Sequence, residues 1–454
     1  MPQRSSRQSA NGGWAAEFDA WLAPFLARLP RKRHQQWAPR YVAGLLGPAA
    51  RKNMERLADE VAEGDYDQLH HFLTTTAWDA APLLAVLAQQ AQALVGGPDA
   101  VLIVDDTSLL KQGTHSVGVG RQYSGQAGKI ANCQTLVSLT LAQHEVPMPV
   151  ALRLFLPAAW ARDRARCRRA GIPVTARRHQ EKWQLALEEL DRVRAAGVTF
   201  GLVLADAGYG MSAPFRHALT ARHVPWAVGI PVTLQVYPPD VRVSWRRKHG
   251  GRRKHPRPLT GPRSVRTVAR TLRWHPVTWR RGTKGPLRAH FAAARVKIGD
   301  GATLNNGWKV PSEAVWLVGE RRATGEERFY LTNLPASATL PELAAAIKAR
   351  WSCEQVHQQL KEELGLDHFE GRSWTGLQHH AVLTMIAFTF LQYYRLTHQR
   401  RSRRAGPPDL RKKKRRASAR AQSSRRPSSP ADPPSCAGVA LLPALWLPPP
   451  AGIA

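Results

Sequence analysis

The sequence has few cysteines. Among its 454 residues are four, Cys133, Cys167, Cys353 and Cys436, and no two of them form a C-x-x-C pair. This spacing argues against a zinc ribbon or a disulfide scaffold and fits a reducing cytosol. The N-terminus has no apolar h-region, and the apolar stretch at 436–450 is short and interrupted by proline. We therefore expect neither secretion nor a membrane span.

Acidic residues are missing from a long internal segment. Residues 241–299 contain 18 Lys and Arg and no Asp or Glu, and residues 395–426 contain 14 Lys and Arg with a single Asp. The formal net charge is +33, so these two segments carry almost all of the excess. Such concentration suits a polyanion, because each neutralised phosphate releases counterions. An arginine-rich coding bias would explain the tail, but it explains the acid-free segment less well.

The hydrophobic pattern divides the chain. The first 95 residues have helical spacing, and from residue 100 short apolar runs alternate with amphipathic helices. This order is typical of an α/β sheet covered by helices on both faces, in a chain long enough for two or three units. We predict a helical domain at 1–96, a first part of the core at 97–229, a basic β-rich insertion at 230–335, core helices at 336–396 and a disordered basic and Pro-rich tail at 397–454.

A helical corner in the first domain has two interpretations. A Gly47–Pro48 break separates two amphipathic helices, and Arg51 and Lys52 begin the second. The corner could be a helix-turn-helix that reads element ends in DNA, or a packing corner of the kind that is commoner in proteins.

Three acids follow apolar strands. Asp105 and Asp106 end the run VLIVDD, and Asp206 ends the run GLVLAD. Ligands bind at the carboxyl ends of strands in α/β sheets, because side chains there leave the core. One such Asp usually caps a turn, whereas two strands that both end in Asp favour a functional site.

A fourth acid lies on a later helix. The residues Thr339–Glu342 form a capping box, which predicts that a helix begins there. At 100° per residue, Arg350, Glu354 and Lys361 fall on one side of this helix, beside an apolar stripe that would dock on the sheet. Alone, this trio could be a salt-bridged surface stripe.

Convergence of the acids would call for a cation. Three carboxylates brought together repel one another, and at least one would become protonated. Mg²⁺ prefers carboxylate oxygens, and two such ions can activate a nucleophile and stabilise a leaving oxygen at phosphorus. Lys361 or Arg350 would then hold a phosphate.

Together these motifs resemble the DDE transposases of bacterial insertion sequences, over residues 15–396. VDDT is similar to the first-Asp motif and points to Asp105 rather than Asp106, and ADAGYG is similar to the second and points to Asp206. The spacing R-x3-E-x6-K of the third motif is kept, but Ile347 stands where one large subgroup has Tyr.

The resemblance implies an RNase H-like core interrupted by the β-rich insertion. It implies Asp105, Asp206 and Glu354 as catalytic metal ligands for Mg²⁺, with Mn²⁺ as an alternative ion. It also implies cleavage at element ends, attack of the freed 3′-OH on target DNA, and in some members a hairpin at the excised end. Trp245, Trp274 and Trp279 are candidates for stacking on a base.

The partners implied are double-stranded DNA, at element ends and target, and a second copy of the chain in a synaptic complex. The expected location is the bacterial cytoplasm, on the nucleoid, with no membrane. The residues expected to contact DNA phosphate are Arg350, Lys361, Arg121, Lys129, Arg246, Arg247, Lys248, Arg252, Arg253 and Lys254.

Two other functions remain open. The chain could be a decayed transposase that only binds DNA, since the tail ending in CAGVALLPALWLPPP resembles out-of-frame coding. It could also be an RNase H-like nuclease that never joins strands.

Overall fold

The computed structural model describes residues 4–144, 146–246, 251–282 and 285–404. Arg247 and Lys248, two of the predicted phosphate contacts, lie outside these residues, as does the tail from 405 to 454. The helix that precedes the tail continues to Arg404, beyond the predicted boundary at 396.

The described residues combine helices with β-strands, which confirms the mixed α/β class. The helices are α1 (Arg4–Leu26), α2 (Lys32–Leu46), α3 (Met54–Val61), α4 (Tyr66–His70), α5 (Ala81–Val95), α6 (Ala158–Arg162), α7 (Arg164–Arg169), α8 (Lys182–Ala195), α9 (Ala207–Gly210), α10 (Ala213–Ala221), α11 (Val265–Ala269), α12 (Leu340–Lys348), α13 (Trp351–Glu362) and α14 (Trp374–Arg404).

The strands are β1 (Val101–Leu110), β2 (Gly120–Ser124), β3 (Lys129–Gln143), β4 (Val146–Leu154), β5 (Leu202–Ala205), β6 (Trp226–Ile230), β7 (Gln235–Tyr237), β8 (Val243–Arg246), β9 (Arg252–Pro258), β10 (Arg263–Ser264), β11 (His275–Gly282), β12 (Gly285–Thr303), β13 (Lys309–Arg321) and β14 (Glu327–Thr332). All except β8 and β9, which pair with each other, belong to one sheet.

The centre of the sheet has the order β4-β3-β1-β5-β6. The first three strands are antiparallel neighbours, whereas β5 and β6 run parallel to β1. Every residue of β5 and β6 is buried, because helices cover both faces there. Because both faces of these strands are buried, the sequence shows them as continuous apolar runs.

Strand β1 is longer than the sequence pattern suggests. The sequence had predicted that Asp105 and Asp106 end the strand, and this prediction is wrong. The strand continues to Leu110, so both acids lie within it. Antiparallel pairing with β3 extends along the whole of β1. Parallel pairing with β5 stops at Val104, because β5 itself ends there. The two acids therefore lie beyond the end of the parallel pairing with β5 but within the antiparallel pairing with β3.

The segment 230–335 contains strands β7 to β14 and the short helix α11. Strand β14 pairs with β6, so the strands of this segment extend the central sheet at its β6 edge. Only the β8–β9 hairpin forms a separate small sheet among the described residues.

The helix predicted to start at Thr339 is two helices. The capping box is present, with Thr339 and Glu342 bonded reciprocally, but α12 ends at Lys348 and α13 begins at Trp351. Arg350 is the N-cap residue of α13. The predicted single helix is wrong at this break, so the position of the charged side chains depends on how α13 packs.

The corner between α2 and α3 is a packed contact. Lys52 is only 4% exposed, and its ammonium donates to the carbonyl oxygens of Gly44 (3.4 Å) and Gly47 (2.5 Å). Arg51 forms a 2.5 Å ion pair with Glu370. Lys52 cannot reach DNA from this position, so the geometry favours the packing interpretation of the corner over DNA reading by it.

Helix α14 ties the N-terminal helices to the core. Phe390 is fully buried and lies against Trp14 and Phe18, with ring centroids 5.7 and 5.1 Å apart. Among the described helices, none is both long and apolar enough to cross a bilayer.

Phe390→Ala should lower the free energy of unfolding by about 3–5 kcal/mol, because it removes a buried ring and leaves a cavity between α1 and α14. Urea denaturation followed by tryptophan fluorescence and circular dichroism measures the change. The control, Val174→Ala at a side chain that is 78% exposed, should change stability by less than about 0.5 kcal/mol. Equal effects of the two substitutions would contradict this account of the packing.

Candidate active site

Asp105 and Asp206 lie at the same level of two neighbouring parallel strands. The pairing of β1 with β5 ends at Val104 opposite Ala205, and each Asp is the next residue of its chain. The Asp206 carboxylate accepts a hydrogen bond from the Tyr209 backbone N–H (3.2 Å) and so caps α9. The strand ladder thus brings together two acids that are 101 positions apart in the sequence.

The side chains of Asp105 and Asp106 point to opposite faces of the sheet. The Asp106 carboxylate accepts bonds from Lys182 Nζ (2.6 Å) and the Tyr209 hydroxyl (2.7 Å). Burial raises the pKa of Asp106, and Lys182 opposes that shift. Asp105 instead contacts Arg350 and Cys353. Side chains alternate along a strand, so only Asp105 faces the helix that carries Glu354.

Arg350 joins Asp105 to Glu354. Its guanidinium donates to Asp105 Oδ2 and to Glu354 Oε1, each at 2.6 Å. Burial disfavours the charge of Arg350, but the surrounding groups, Asp105 first among them, raise the pKa of Arg350 above its usual range. The Glu354 side chain is 61% exposed, whereas that of Asp105 is 13% exposed. Glu354 therefore stands at the mouth of the site, linked to Asp105 by a cation.

The folded protein disfavours the charge of Asp206. Burial and then the neighbouring Asp105 raise the pKa of Asp206, and the hydrogen bond from the Tyr209 N–H and the charge of Arg350 only partly offset them. Asp105 and Asp206 lie side by side, whereas Glu354 is joined to Asp105 through Arg350. Carboxylate oxygens are the ligand type that Mg²⁺ prefers, so the chemistry of these donors fits a divalent cation.

Two further residues at the site were not predicted as functional. The Cys353 thiol donates to Asp105 Oδ2 (3.1 Å), and His357 Nε2 lies 2.7 Å from Ser138 Oγ. The same Ser138 hydroxyl donates to the Asp105 carbonyl (3.0 Å). These contacts hold α13 against β1 and β3. The sequence showed Cys353 only as part of the apolar stripe.

Asp105, Cys353 and His357 form a second set of metal-ligand types. Among the described residues, their ligand atoms all lie within 4.8 Å of one another, and Asp206 and Glu354 are not part of this group. Burial lowers the pKa of His357 to about 4 and raises the pKa of Cys353 well above its usual range. In the metal-free protein Cys353 is therefore a thiol that donates to Asp105, and the contacts of Cys353 and His357 orient Asp105.

A turn after α13 holds that helix in place. His380 Nε2 lies 3.1 Å from the Gly365 carbonyl, and its Nδ1 lies 2.8 Å from the Tyr41 hydroxyl. Burial lowers the pKa of His380 to about 4, so the ring is neutral at pH 7. Nε2 must then donate to the carbonyl, and Nδ1 accepts from Tyr41. Lys111 Nζ also donates to the Phe369 carbonyl (2.6 Å).

The predicted cations lie in two places. Lys361 Nζ donates to Gln126 Oε1 (3.2 Å), which connects α13 to the turn between β2 and β3. Arg121 and Lys129 are exposed on the same hairpin. Burial lowers the pKa of Lys361.

The second group lies on the β8–β9 hairpin of the insertion. Arg246, Arg252 and Lys254 are exposed, and Arg253 Nε donates to the Arg246 carbonyl (3.0 Å). A groove of about 440 Å³ beside the hairpin is lined by Ser244, Arg246, Arg253, Arg257, Pro258, Leu259 and Trp308.

The three tryptophans differ in exposure. Trp245 is 42% exposed, with the Arg252 guanidinium 4.8 Å from its ring. Trp274 and Trp279 are partly buried under Arg321 and Lys348. Trp245 is therefore the most accessible of the three. Ile347 is 4% exposed in the core, so its position presents no polar group to a ligand.

Comparisons with known proteins give a family and a similar transposase. A family model described as DDE superfamily endonuclease matches residues 24–286. A probable transposase for insertion sequence element IS701 from Microchaete diplosiphon is 29% identical over 169 residues, which are 37% of this chain and 41% of that protein. The match thus spans about two fifths of the relative's length.

A solved piggyBac transposase synaptic complex with hairpin DNA covers 91% of this chain and 84% of its own, with 10% identity and a TM-score of 0.38. A likeness of this size carries no argument about fold or function.

Asp206→Asn should stabilise the metal-free protein at pH 7. Asn also caps a helix, and the substitution removes a charge that the folded state disfavours. Because the folded pKa of Asp206 is raised, this penalty is present at neutral pH and is gone below the ordinary Asp pKa of about 3.9. Urea denaturation in EDTA should show a gain that disappears as the pH falls toward that value.

Asp191→Asn is the control of opposite sign. A hydrogen bond from Arg222 holds the pKa of Asp191 below its usual range, so its charge stabilises the folded state at neutral pH. The substitution should cost stability at pH 7, and that loss should vanish in acid. If D206N lost stability at pH 7, as expected of D191N, the result would contradict the inference that the folded protein disfavours the charge of Asp206.

Proposed function

The chain belongs to the DDE superfamily endonucleases, and from this membership we propose that it is the transposase of a bacterial insertion sequence. It would cut DNA at the ends of its element and join the freed 3′-OH to target DNA. The observations that support the proposal are the adjacency of Asp105 and Asp206 at the end of the β1–β5 pairing and the Arg350 guanidinium that contacts both Asp105 and Glu354.

The strand arrangement supports an RNase H-like core. Three antiparallel strands, β4, β3 and β1, are followed by two strands parallel to β1, and the acids lie where that parallel pairing ends. Ligands bind at such strand ends in α/β sheets. The segment 230–335 enters between Asp206 and Glu354, as the resemblance implies for the insertion.

Asp105, Asp206 and Glu354 would hold Mg²⁺, or Mn²⁺ in its place. When bound, two such ions activate a water or a 3′-OH nucleophile and stabilise the leaving oxygen at phosphorus. Cys353 and His357 would keep Asp105 oriented toward α13. Arg350 would turn from the carboxylates to a DNA phosphate, since a guanidinium binds either anion in the same bidentate way.

The remaining cations would hold the duplex. Lys361, with Arg121 and Lys129 on the nearby hairpin, would contact phosphates next to the cut. Arg246, Arg252, Arg253 and Lys254, with Arg247 and Lys248 that lie outside the described residues, would grip the backbone farther away. Binding through so many cations should weaken steeply as salt increases. The protein would act as a homodimer that pairs two element ends on the bacterial nucleoid.

Asp206→Asn should abolish strand cleavage while leaving end binding largely intact, because it removes a metal ligand but keeps the helix cap. Cleavage of labelled end DNA with Mg²⁺ should fall by about 100-fold or more. Electrophoretic mobility shift measures binding on the same DNA. Retained cleavage by D206N would exclude Asp206 from the chemistry.

Glu354→Gln should have the same effect, and Glu362→Gln on the same helix provides its matched control. Glu362 is exposed and accepts a hydrogen bond from Gln358 Nε2 (2.9 Å), so its loss should change cleavage less than about twofold. Equal loss in both variants would point to helix charge in place of metal binding.

An assay for strand joining distinguishes a transposase from a nuclease and from a protein that only binds DNA. Wild-type protein incubated with end DNA, target plasmid and Mg²⁺ should give product in which the end's 3′-OH is covalently joined to the target. Cleavage without joining would instead identify a nuclease. Binding without cleavage would identify a decayed transposase that only binds DNA.

A further inference from the structure

The β2–β3 hairpin presents two large apolar side chains to solvent beside the acids. Tyr123 is 67% exposed and Ile130 is 59% exposed. They are directly opposite each other in the strand register, so they form one cross-strand pair on one face of the hairpin. Exposure of two such neighbours is uncommon in a folded protein without a function for them.

The hairpin is anchored beside its turn. Ser124 is fully buried, and its hydroxyl lies 2.7 Å from that of Ser108 on β1. The turn is closed by the Ala127 N–H, which donates to Ser124 Oγ (3.3 Å), and by Gly128 with a φ of 61°. The apolar pair is therefore held on a fixed support at a defined place.

The charge around the pair identifies the class of partner. Residues 111–132 contain Lys111, Arg121 and Lys129 and no acid. Arg121 lies two residues before Tyr123 on the same strand, so its side chain leaves the same face. Lys361 on α13 also contacts the hairpin through Gln126. An apolar pair framed by cations fits a polyanion with stacked apolar faces inside, which is the structure of duplex DNA.

The points where the hairpin contacts the rest of the protein lie close to the acids. Asp105 and Ser108 are three residues apart on β1, about 10 Å at 3.4 Å per residue. Glu354 and Lys361 are seven residues apart on α13, also about 10 Å at 1.5 Å per residue. Ser108 and Lys361 both contact the hairpin. Tyr123 and Ile130 adjoin the Ser124–Lys129 pair of the hairpin, so they lie next to the Ser108 contact.

Resting on the proposed function, we propose that Tyr123 and Ile130 form a wedge that enters the DNA near the scissile phosphate and unstacks it. Apolar side chains that insert between base steps kink and open duplexes in this way, and aromatic rings stack on exposed bases. Local opening would give the acids access to the phosphate. The cations Arg121, Lys129 and Lys361 would hold the strands that the wedge separates.

The test compares intact with pre-opened DNA. Tyr123→Ala combined with Ile130→Ala should slow Mg²⁺-dependent cleavage of a fully paired element end by about tenfold or more, from lost stacking. The same variant should cleave at close to the wild-type rate when three base pairs next to the cut are mismatched, because the opening step is then unnecessary. Tyr123→Phe, which keeps the ring, should cleave both DNAs as wild type does.

Val174→Ala is the control, since it trims an exposed apolar side chain outside the hairpin. It should leave both rates unchanged. Equal slowing of the double variant on paired and mismatched DNA would overturn the wedge, since it would indicate a structural or general binding defect. Wild-type rates on paired DNA would overturn it as well.

A second measurement does not depend on cleavage. With 2-aminopurine placed next to the cut and EDTA present, wild-type protein should raise the fluorescence of the paired DNA, and the double variant should not. If the wild type binds and opens the DNA but never cleaves it, the proposed function fails while the wedge stands. A double variant that opens DNA normally, or whose DNA-free oligomeric state changes, overturns the wedge, in the latter case in favour of contact with a second copy.

Discussion

Carboxylates that are placed side by side in a partly buried site need a cation. The end of the parallel ladder between β1 and β5 puts Asp105 and Asp206 next to each other, and the pKa of Asp206 is raised as a result of burial and this neighbour. Arg350 supplies positive charge to two of the three acids at once. Arg350 offsets part of the negative charge in the folded protein, and a bound divalent ion would offset the rest.

The position of α13 brings the positive charge of Arg350 to the acids. The break after α12 lets α13 begin at Trp351 with Arg350 as its N-cap residue, so that Arg350 and Cys353 both contact Asp105. Glu354, one turn along, is bonded to Arg350. His357 and Ser138 hold the middle of the helix against the sheet. At its end, the turn at 365–369 is bonded to Lys111 and His380. Each contact joins elements far apart in sequence, so the catalytic geometry depends on the whole core.

Much of this site was predictable because its signals are local. A strand that ends in Asp, a capping box and an R-x3-E-x6-K spacing involve residues within a turn or a strand of one another. The mixed α/β class followed from the alternation of apolar runs with amphipathic helices. By contrast, the length of β1 was underestimated, since pairing with β3 carries the strand beyond Asp106 through polar residues that no apolar pattern marks.

The sequence shows which residues are candidates for the chemistry and where the positive charge is concentrated. The tertiary structure shows that Asp105 and Asp106 contact different partners, because the face each side chain takes depends on strand register and on helices from distant parts of the chain. It also decided that Lys52 is buried, that Arg350 lies between two acids, and that Tyr123 and Ile130 stay exposed. Burial and ion pairing are properties of packing, and spacing along a chain does not contain them.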